Sequence, residues 1–386
     1  MAPDQDLDAR RPSSSASPRE SSNTAVTIAS VLALALLPVW IVFSRRAGIF
    51  AADFSAFYVA AHLPFAELYQ PDAFGRMAQS LLGDLGIHYF PLYVRPAAFA
   101  LPLQWMRWTP YWTAFALWVA VQYACYAATV FILYRKFGFL PYSLCLFGIF
   151  APPMLGSLVG QDIAGVGLLL VAGLLLLEGG SDVAAGLVLG LCLYKFNLLL
   201  LLPVFLLVKK RYRAACSFAV AGIFLAALSM WLASPAAYLT TISDTVDRVS
   251  SQPGEMVSAR GWFELLHVPW AYYPAAAAIV AITIFMTWRL PLREAFAAML
   301  AGSLLCGYHV NWYDHTLLAI PFALALSRSS EARRIVAVCA MAAIPIWVLR
   351  NLVLTPLVVL VWLGPGMEAI GRRFRSRTPT LDRSGR

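Results

Sequence analysis

Long apolar runs separated by short polar, proline- or glycine-bearing punctuation recur along almost the whole chain. Runs of this length with so few charges predict helices that cross a bilayer, not strands or soluble helices. With Pro, Gly and charge taken as boundaries, spans are predicted near 25–43, 109–134, 139–157, 162–178, 183–194, 197–208, 213–233, 269–288, 294–309, 313–327, 333–350 and 352–364. The first run is followed by Ser44-Arg45-Arg46 and no small-residue cleavage site, so it reads as a retained span and not a signal peptide. One stretch resists this treatment. Residues 183–208 are interrupted by Tyr194-Lys195-Phe196-Asn197. As one straight helix they would extend about 39 Å against a hydrocarbon thickness of ~30 Å, with a lysine at the middle costing roughly 3 kcal/mol.

The basic residues decide between the two ways of threading it. If the chain turns back at Lys195, the clusters Arg135-Lys136, Lys209-Lys210-Arg211-Tyr212-Arg213, Arg289 to Arg293 and the tail from Arg372 onward all fall on one side. The positive-inside tendency makes that side cytoplasmic and predicts about twelve spans with both termini inside. Short helices that meet within the membrane need protein or water around their turn, so Lys195 is expected to line a cavity. The same threading gathers residues 44–108, 234–268 and 307–315 on the outer face. The first of these loops, rich in Pro, Trp, Tyr and Phe, predicts helices lying in the interface. The expected organisation is a disordered cytoplasmic tail at 1–24, one transmembrane unit at 25–365 and a basic cytoplasmic tail at 366–386. Gly156-x-x-x-Gly160 and Gly186-x-x-x-Gly190 read as close helix packing.

Composition agrees. With 60% hydrophobic and 13% charged residues the chain is an all-α polytopic membrane protein and not a soluble globule. A net charge of +9 would suggest nucleic acid in a soluble protein, but the charges lie between apolar runs, so a nucleic-acid partner is excluded. The six cysteines lie in or at the edges of apolar runs without a C-x-x-C pair, so no zinc site or disulfide framework is expected. Asp4-Gln5-Asp6 and Asp6-Leu7-Asp8 have metal-nucleotide spacing but sit in the polar tail, which cannot hold such a site.

The chemistry-bearing residues collect on the outer side: Asp53, Tyr58, His62, His88, Tyr89, Arg95, Gln161, Asp162, Lys195, Arg260, His309, Asn311, Asp314 and His315. Each has a structural alternative. Asp53 can cap an interfacial helix, Arg95 can anchor at a headgroup, Gln161-Asp162 can cap the helix that begins there, and the histidines can be satisfied interfacial residues. Their joint appearance on one face favours a site, because intramembrane ionisable groups are costly unless they bind something. The anion available to Lys195 at membrane depth is a lipid phosphate. With no P-loop or G-x-G-x-x-G, a soluble nucleotide substrate is not indicated.

Asp53-Phe54 with Phe57-Tyr58 and Ala60 resembles the D-F-x-x-[FY]-Y-x-A motif of glycosyltransferase family 87, the polyprenyl-phosphate-mannose-dependent membrane enzymes of the GT-C superfamily. Further matches follow in order: Tyr89-Phe90-Pro91 with Arg95-Pro96, Leu101-Pro102-Leu103, Gly160-Gln161-Asp162, Lys195 between short helices, and Trp312-Tyr313-Asp314-His315 before Leu317-Leu318-Ala319-Ile320-Pro321. The resemblance spans roughly 26 to 330. It departs at Asp162, where the family pattern has Asn, and at Phe196, where it has Pro. The resemblance implies a GT-C-like bundle with an outward-facing cavity and Asp53 as catalytic base. Tyr58, Tyr89, Arg95, Gln161, Asp162, Lys195, Arg260, His309 and His315 are expected to bind substrate.

The resulting expectation is a multi-pass inner-membrane enzyme with its active site facing the periplasm or exterior. It transfers a hexose, mannose by the resemblance, from a polyprenyl phosphate to a glycan or glycolipid acceptor, with inversion and with no metal or cofactor. Its partners are the donor, the acceptor and membrane lipids. The rival reading is a transporter or flippase for a lipid-linked or small solute, whose broken helix and polar midplane residues would look alike. Internal repeats would favour the rival, and none is evident in the sequence.

Overall fold

A computed structural model of the chain describes residues 28, 31, 35–46, 48–87, 91–137, 150–250, 256–327, 359 and 362. The tails expected at 1–24 and 366–386, the span expected at 333–350, most of that at 352–364, and His88 and Tyr89 lie outside the described residues. Among the described residues there is no strand, and an isolated bridge pairs Met256 with Asn311.

After the helical residues 35–46 (α1) come α2 (Phe54–His62), α3 (Pro71–Leu82) and a 3-10 segment, Ala97–Trp108. The bundle follows: α4 (Tyr111–Phe137), α5 (Ala151–Val159), α6 (Ile163–Glu178), α7 (Asp182–Leu191), a 3-10 turn Cys192–Leu198, α8 (Leu202–Val208) and α9 (Tyr212–Leu232). Then come α10 (Pro235–Ser250), α11 (Ala259–Leu265), α12 (Tyr272–Arg289), α13 (Leu292–Cys306), a 3-10 turn Trp312–Leu318 and α14 (Ala319–Ser327). Tyr111–Phe137, Tyr212–Leu232 and Pro269–Arg289 are long and apolar enough to cross a membrane, and Ile163–Glu178 is a shorter apolar helix. The protein is therefore an all-helical membrane protein.

The two ends of the bundle differ in chemistry. At one end Arg293 pairs with Glu178 and lies over the Phe137 ring, Arg211 pairs with Asp182, and Lys209 bonds the Leu290 carbonyl. At the other end α4, α9 and α12 begin or finish beside exposed Trp108, Trp231 and Trp270, the interfacial aromatics of a membrane boundary. The chain runs from Asp182 at the basic end, turns at Lys195 and returns through α8 to Lys209. The reversal is carried by Lys195 itself, whose backbone (φ −120, ψ 47) is not helical. The hairpin read from charge parity is thus the observed path.

Close packing of α7 on α9 depends on Gly186 and Gly190, where a Cβ would collide with Ala214 and Ala221. Gly156-x-x-x-Gly160 behaves differently from expectation. Gly156 faces Tyr313, but Gly160 is past the helix, ending α5 in the left-handed region at φ +101. Gly160 N–H bonds Ser157 O and Gln161 N–H bonds Gly156 O, a Schellman stop.

Within the first outer loop, α2 departs from the interfacial reading. In α2 every residue from Phe54 to Ala61 is buried, in an apolar core shared with α3, Ala97–Trp108 and the start of α4. Asp53 precedes this helix without a side-chain cap bond, so the ~1 kcal/mol of a cap is not what holds it. Burial does, at about 1.5–3 kcal/mol for each enclosed aromatic such as Phe54. The helix is apolar all round because it is enclosed by protein and not floating on lipid.

Candidate active site

The site forms where this first core meets the bundle. The N–H groups of Ala51 and Asp53 donate to Leu158 O at 2.8 Å and Val159 O at 2.9 Å, laying the start of α2 along the end of α5. Gly160 permits the contact twice over: its backbone conformation suits only glycine, and a Cβ there would overlap Phe54. Trp118 Nε1 donates to the Gly160 carbonyl at 2.9 Å, fastening the turn to α4. Gln161 and Asp162 are thereby presented beside Asp53.

Arg95 comes from the first loop. Preceding Pro96, it is kept out of helical conformation, and Tyr69 Oη holds its carbonyl at 2.6 Å. Its guanidinium grips Asp162 with two bonds, Nη2 to Oδ1 at 3.1 Å and Nε to Oδ2 at 3.2 Å. Lys195 enters from the hairpin turn. Its ammonium lies 3.1 Å from Asp162 Oδ1, 3.1 Å from Asp314 Oδ1 and 3.2 Å from Gln161 Oε1, which uses its three donors. Asp314 is set by the turn Asn311-x-x-Asp314, in which its Oδ2 accepts the Asn311 N–H at 2.9 Å. Asp162 and Asp314 with Arg95 and Lys195 form a charge-balanced quartet, in which all but half-buried Arg95 are buried. Half-buried Asp53 is the further carboxylate, joined to the quartet through Gln161, whose Nε2 donates to Asp53 Oδ2 at 2.5 Å.

Burial opposes the Arg95 charge, but Asp162 more than restores it, holding the guanidinium above its usual pKa. His309 lies half-buried in the loop after α13, with its carbonyl held by Asn197 and Asn311 Nδ2 3.3 Å from its ring. Burial lowers its pKa. Asp314 opposes that shift, and Arg260, Arg95 and Lys195 reinforce it, so the imidazole is neutral near pH 7 with three cations facing it.

The structure thus brings Asp53, Arg95, Gln161, Asp162, Lys195 and Asp314 into one hydrogen-bonded group, with His309, Asn311 and Tyr313 beside it. Other expected residues are not members of this hydrogen-bonded group, although Arg260 reaches Tyr308 O at 3.4 Å, next to His309. Tyr58 donates to Thr109 O and packs among Phe54, His62 and Tyr111. Arg260 pairs with Glu264 at 2.7 Å and lies 3.6 Å from the Tyr308 ring centroid. His315 is fully buried. Asp162 makes no side-chain cap bond, so its charge serves the ion pairs and not α6. Sequence reasoning missed Trp118, Tyr69 and Tyr194, which donate to Gly160 O, Arg95 O and Asp162 O. An aromatic within an apolar run carries no sign that its one polar atom serves a distant carbonyl. A mixed-charge cavity at Glu178, Arg211, Arg293 and Glu294 lies at the basic end, a helix length of about 24 Å from Asp162 along α6.

A family model described as Glycosyltransferase family 87 matches residues 93–321, more than half of the chain, including every member of the quartet and Gln161 but starting after Asp53. No curated protein and no solved structure matches the chain. Since the family match covers more than half of the chain and takes in the whole quartet, the chain belongs to glycosyltransferase family 87.

Proposed function

We propose that this glycosyltransferase moves a hexose, mannose in the first instance, from a polyprenyl phosphate to a glycan or glycolipid hydroxyl on the outer face of the inner membrane, with Asp53 as general base. The observation that carries the reading is the placement of Asp53: half-buried, and joined through Gln161 to the cations Arg95 and Lys195. The polyprenyl phosphate is already a good leaving group, so the protein has two tasks. Asp53 takes the acceptor proton as the acceptor oxygen bonds the anomeric carbon. The bond from that carbon to the phosphate oxygen breaks, and the phosphate leaves with the electron pair toward the positive charge of Arg95, Lys195 and Arg260 around His309. A single displacement inverts the anomeric configuration. Lys195 acts at a distance here, since a phosphate would reach it only by displacing a carboxylate.

The test is transfer from radiolabelled polyprenyl-phosphate mannose to a lipid extract of the source cells by purified protein. Asp53→Asn is expected to keep donor binding and lose about 10²–10⁴-fold in rate. Near wild-type turnover by Asp53→Asn, with loss in folded Asp162→Asn or Asp314→Asn, places the base elsewhere.

A further inference from the structure

The Gln161 amide can point only one way. Its Oε1 lies 3.2 Å from Arg95 Nη2 and 3.2 Å from Lys195 Nζ, both of which only donate. Its Nε2 lies 2.5 Å from Asp53 Oδ2, which only accepts when ionised. Turning the amide over would set its NH₂ against two cations and its oxygen against a carboxylate, losing three hydrogen bonds and adding repulsion at both ends. The residue is also only 6% exposed and rooted on the turn that Gly160 and Trp118 hold rigid, so its side chain cannot swing aside into solvent.

We propose that Gln161 is a positioning residue that relays the charge of Arg95 and Lys195 to Asp53, fixing the orientation of the carboxylate and keeping it ionised for proton abstraction. An amide whose oxygen is polarised by two cations donates a stronger hydrogen bond from its nitrogen, which favours the ionised carboxylate and occupies one of its oxygens. Among the described residues, Gln161 and Tyr313 face Asp53, with Arg95, Lys195, Asp162, Asp314 and His309 behind them. Gln161 bridges the carboxylate to both cations by hydrogen bonds.

This inference rests on Asp53 being the base, and the experiment separates the two. Gln161→Leu, Gln161→Glu and Asp53→Asn are assayed with polyprenyl-phosphate mannose across pH 5 to 9, with kcat and donor KM measured at each pH. Gln161→Leu is expected to lower kcat at pH 7 by roughly tenfold or more, leave donor KM within about twofold, and move the acid limb of kcat upward by about one pH unit. Gln161→Glu, near-isosteric and ionised between two cations, sets a like charge against Asp53 and should move that limb further up, with activity recovering at high pH. Should the leucine variant fail to fold, the glutamate variant gives the same readout. A uniform loss of kcat with an unmoved acid limb, or a raised KM at unchanged kcat, overturns the relay while an inactive Asp53→Asn leaves the base in place. An active Asp53→Asn overturns both.

Discussion

Replacing Lys195 by Met removes the cation that two buried carboxylates share. Its ammonium is 3.1 Å from Asp162 Oδ1 and from Asp314 Oδ1, and the residue is 3% exposed, so water does not screen the loss. Asp162 keeps its two bonds to Arg95, whereas Asp314 keeps the Asn311 N–H and loses its ion pair. Breaking a buried pair by removing one partner costs about 3–5 kcal/mol, and that is the expected destabilisation of Lys195→Met. Adding Asp314→Asn removes the orphaned charge while its amide oxygen still accepts from Asn311. The double variant should then recover about 2 kcal/mol over the single, because the two changes act on groups in contact and are not additive. Stability is read by SDS titration in micelles, with a thiol-reactive dye reporting exposure of buried Cys192 and Cys306. The double variant also separates structure from electrostatics. Stability returns, but donor affinity stays reduced by about 1–3 kcal/mol because the positive charge is gone. A Lys195→Met protein as stable as wild type, or a double variant less stable than the single, would refute the charge-balanced quartet.

Gly160→Ala should cost more than ~2 kcal/mol and abolish transfer, since it adds strain at φ +101 and pushes Phe54 away; the same melts and assay read it. Trp118→Phe keeps the ring but drops the bond to Gly160 O, with an expected cost of about 1–3 kcal/mol and a lowered kcat. In a chain whose native cysteines are replaced, Ser80→Cys and Ser234→Cys, both exposed, should react with an impermeant thiol reagent on intact spheroplasts and Lys210→Cys should not; the opposite pattern inverts the proposed orientation. His309 is held neutral when folded, whereas unfolded it gains a proton as pH falls through its ordinary value near 6.5. Its contribution to stability is therefore present above about pH 6.5 and lost below it, so His309→Gln should lose less stability than wild type between pH 7 and 5.5 in thermal melts.

The sequence by itself determined the class of the protein, the path of the hairpin and most residues of the hydrogen-bonded group. Apolar run length reports the bilayer directly, basic clusters report the side of the membrane, and a lysine inside a span must be explained by a turn and a partner. These signals are local or additive along the chain. The same locality misled it about α2, because an aromatic-rich segment after a span reads alike whether it meets lipid or protein. Only packing against α4 and the Ala97–Trp108 segment made it core. It likewise left Asp53, Asp162 and Asp314 as three separate outer carboxylates. Tertiary structure distinguished them: ion pairing sets Asp162 and Asp314 against Arg95 and Lys195, residues from four distant parts of the chain, while half-buried Asp53 is linked to those cations through Gln161. Which carboxylate is spent on structure depends on distances of about 3 Å between groups far apart in sequence, and no spacing along a chain encodes those until the helices are packed.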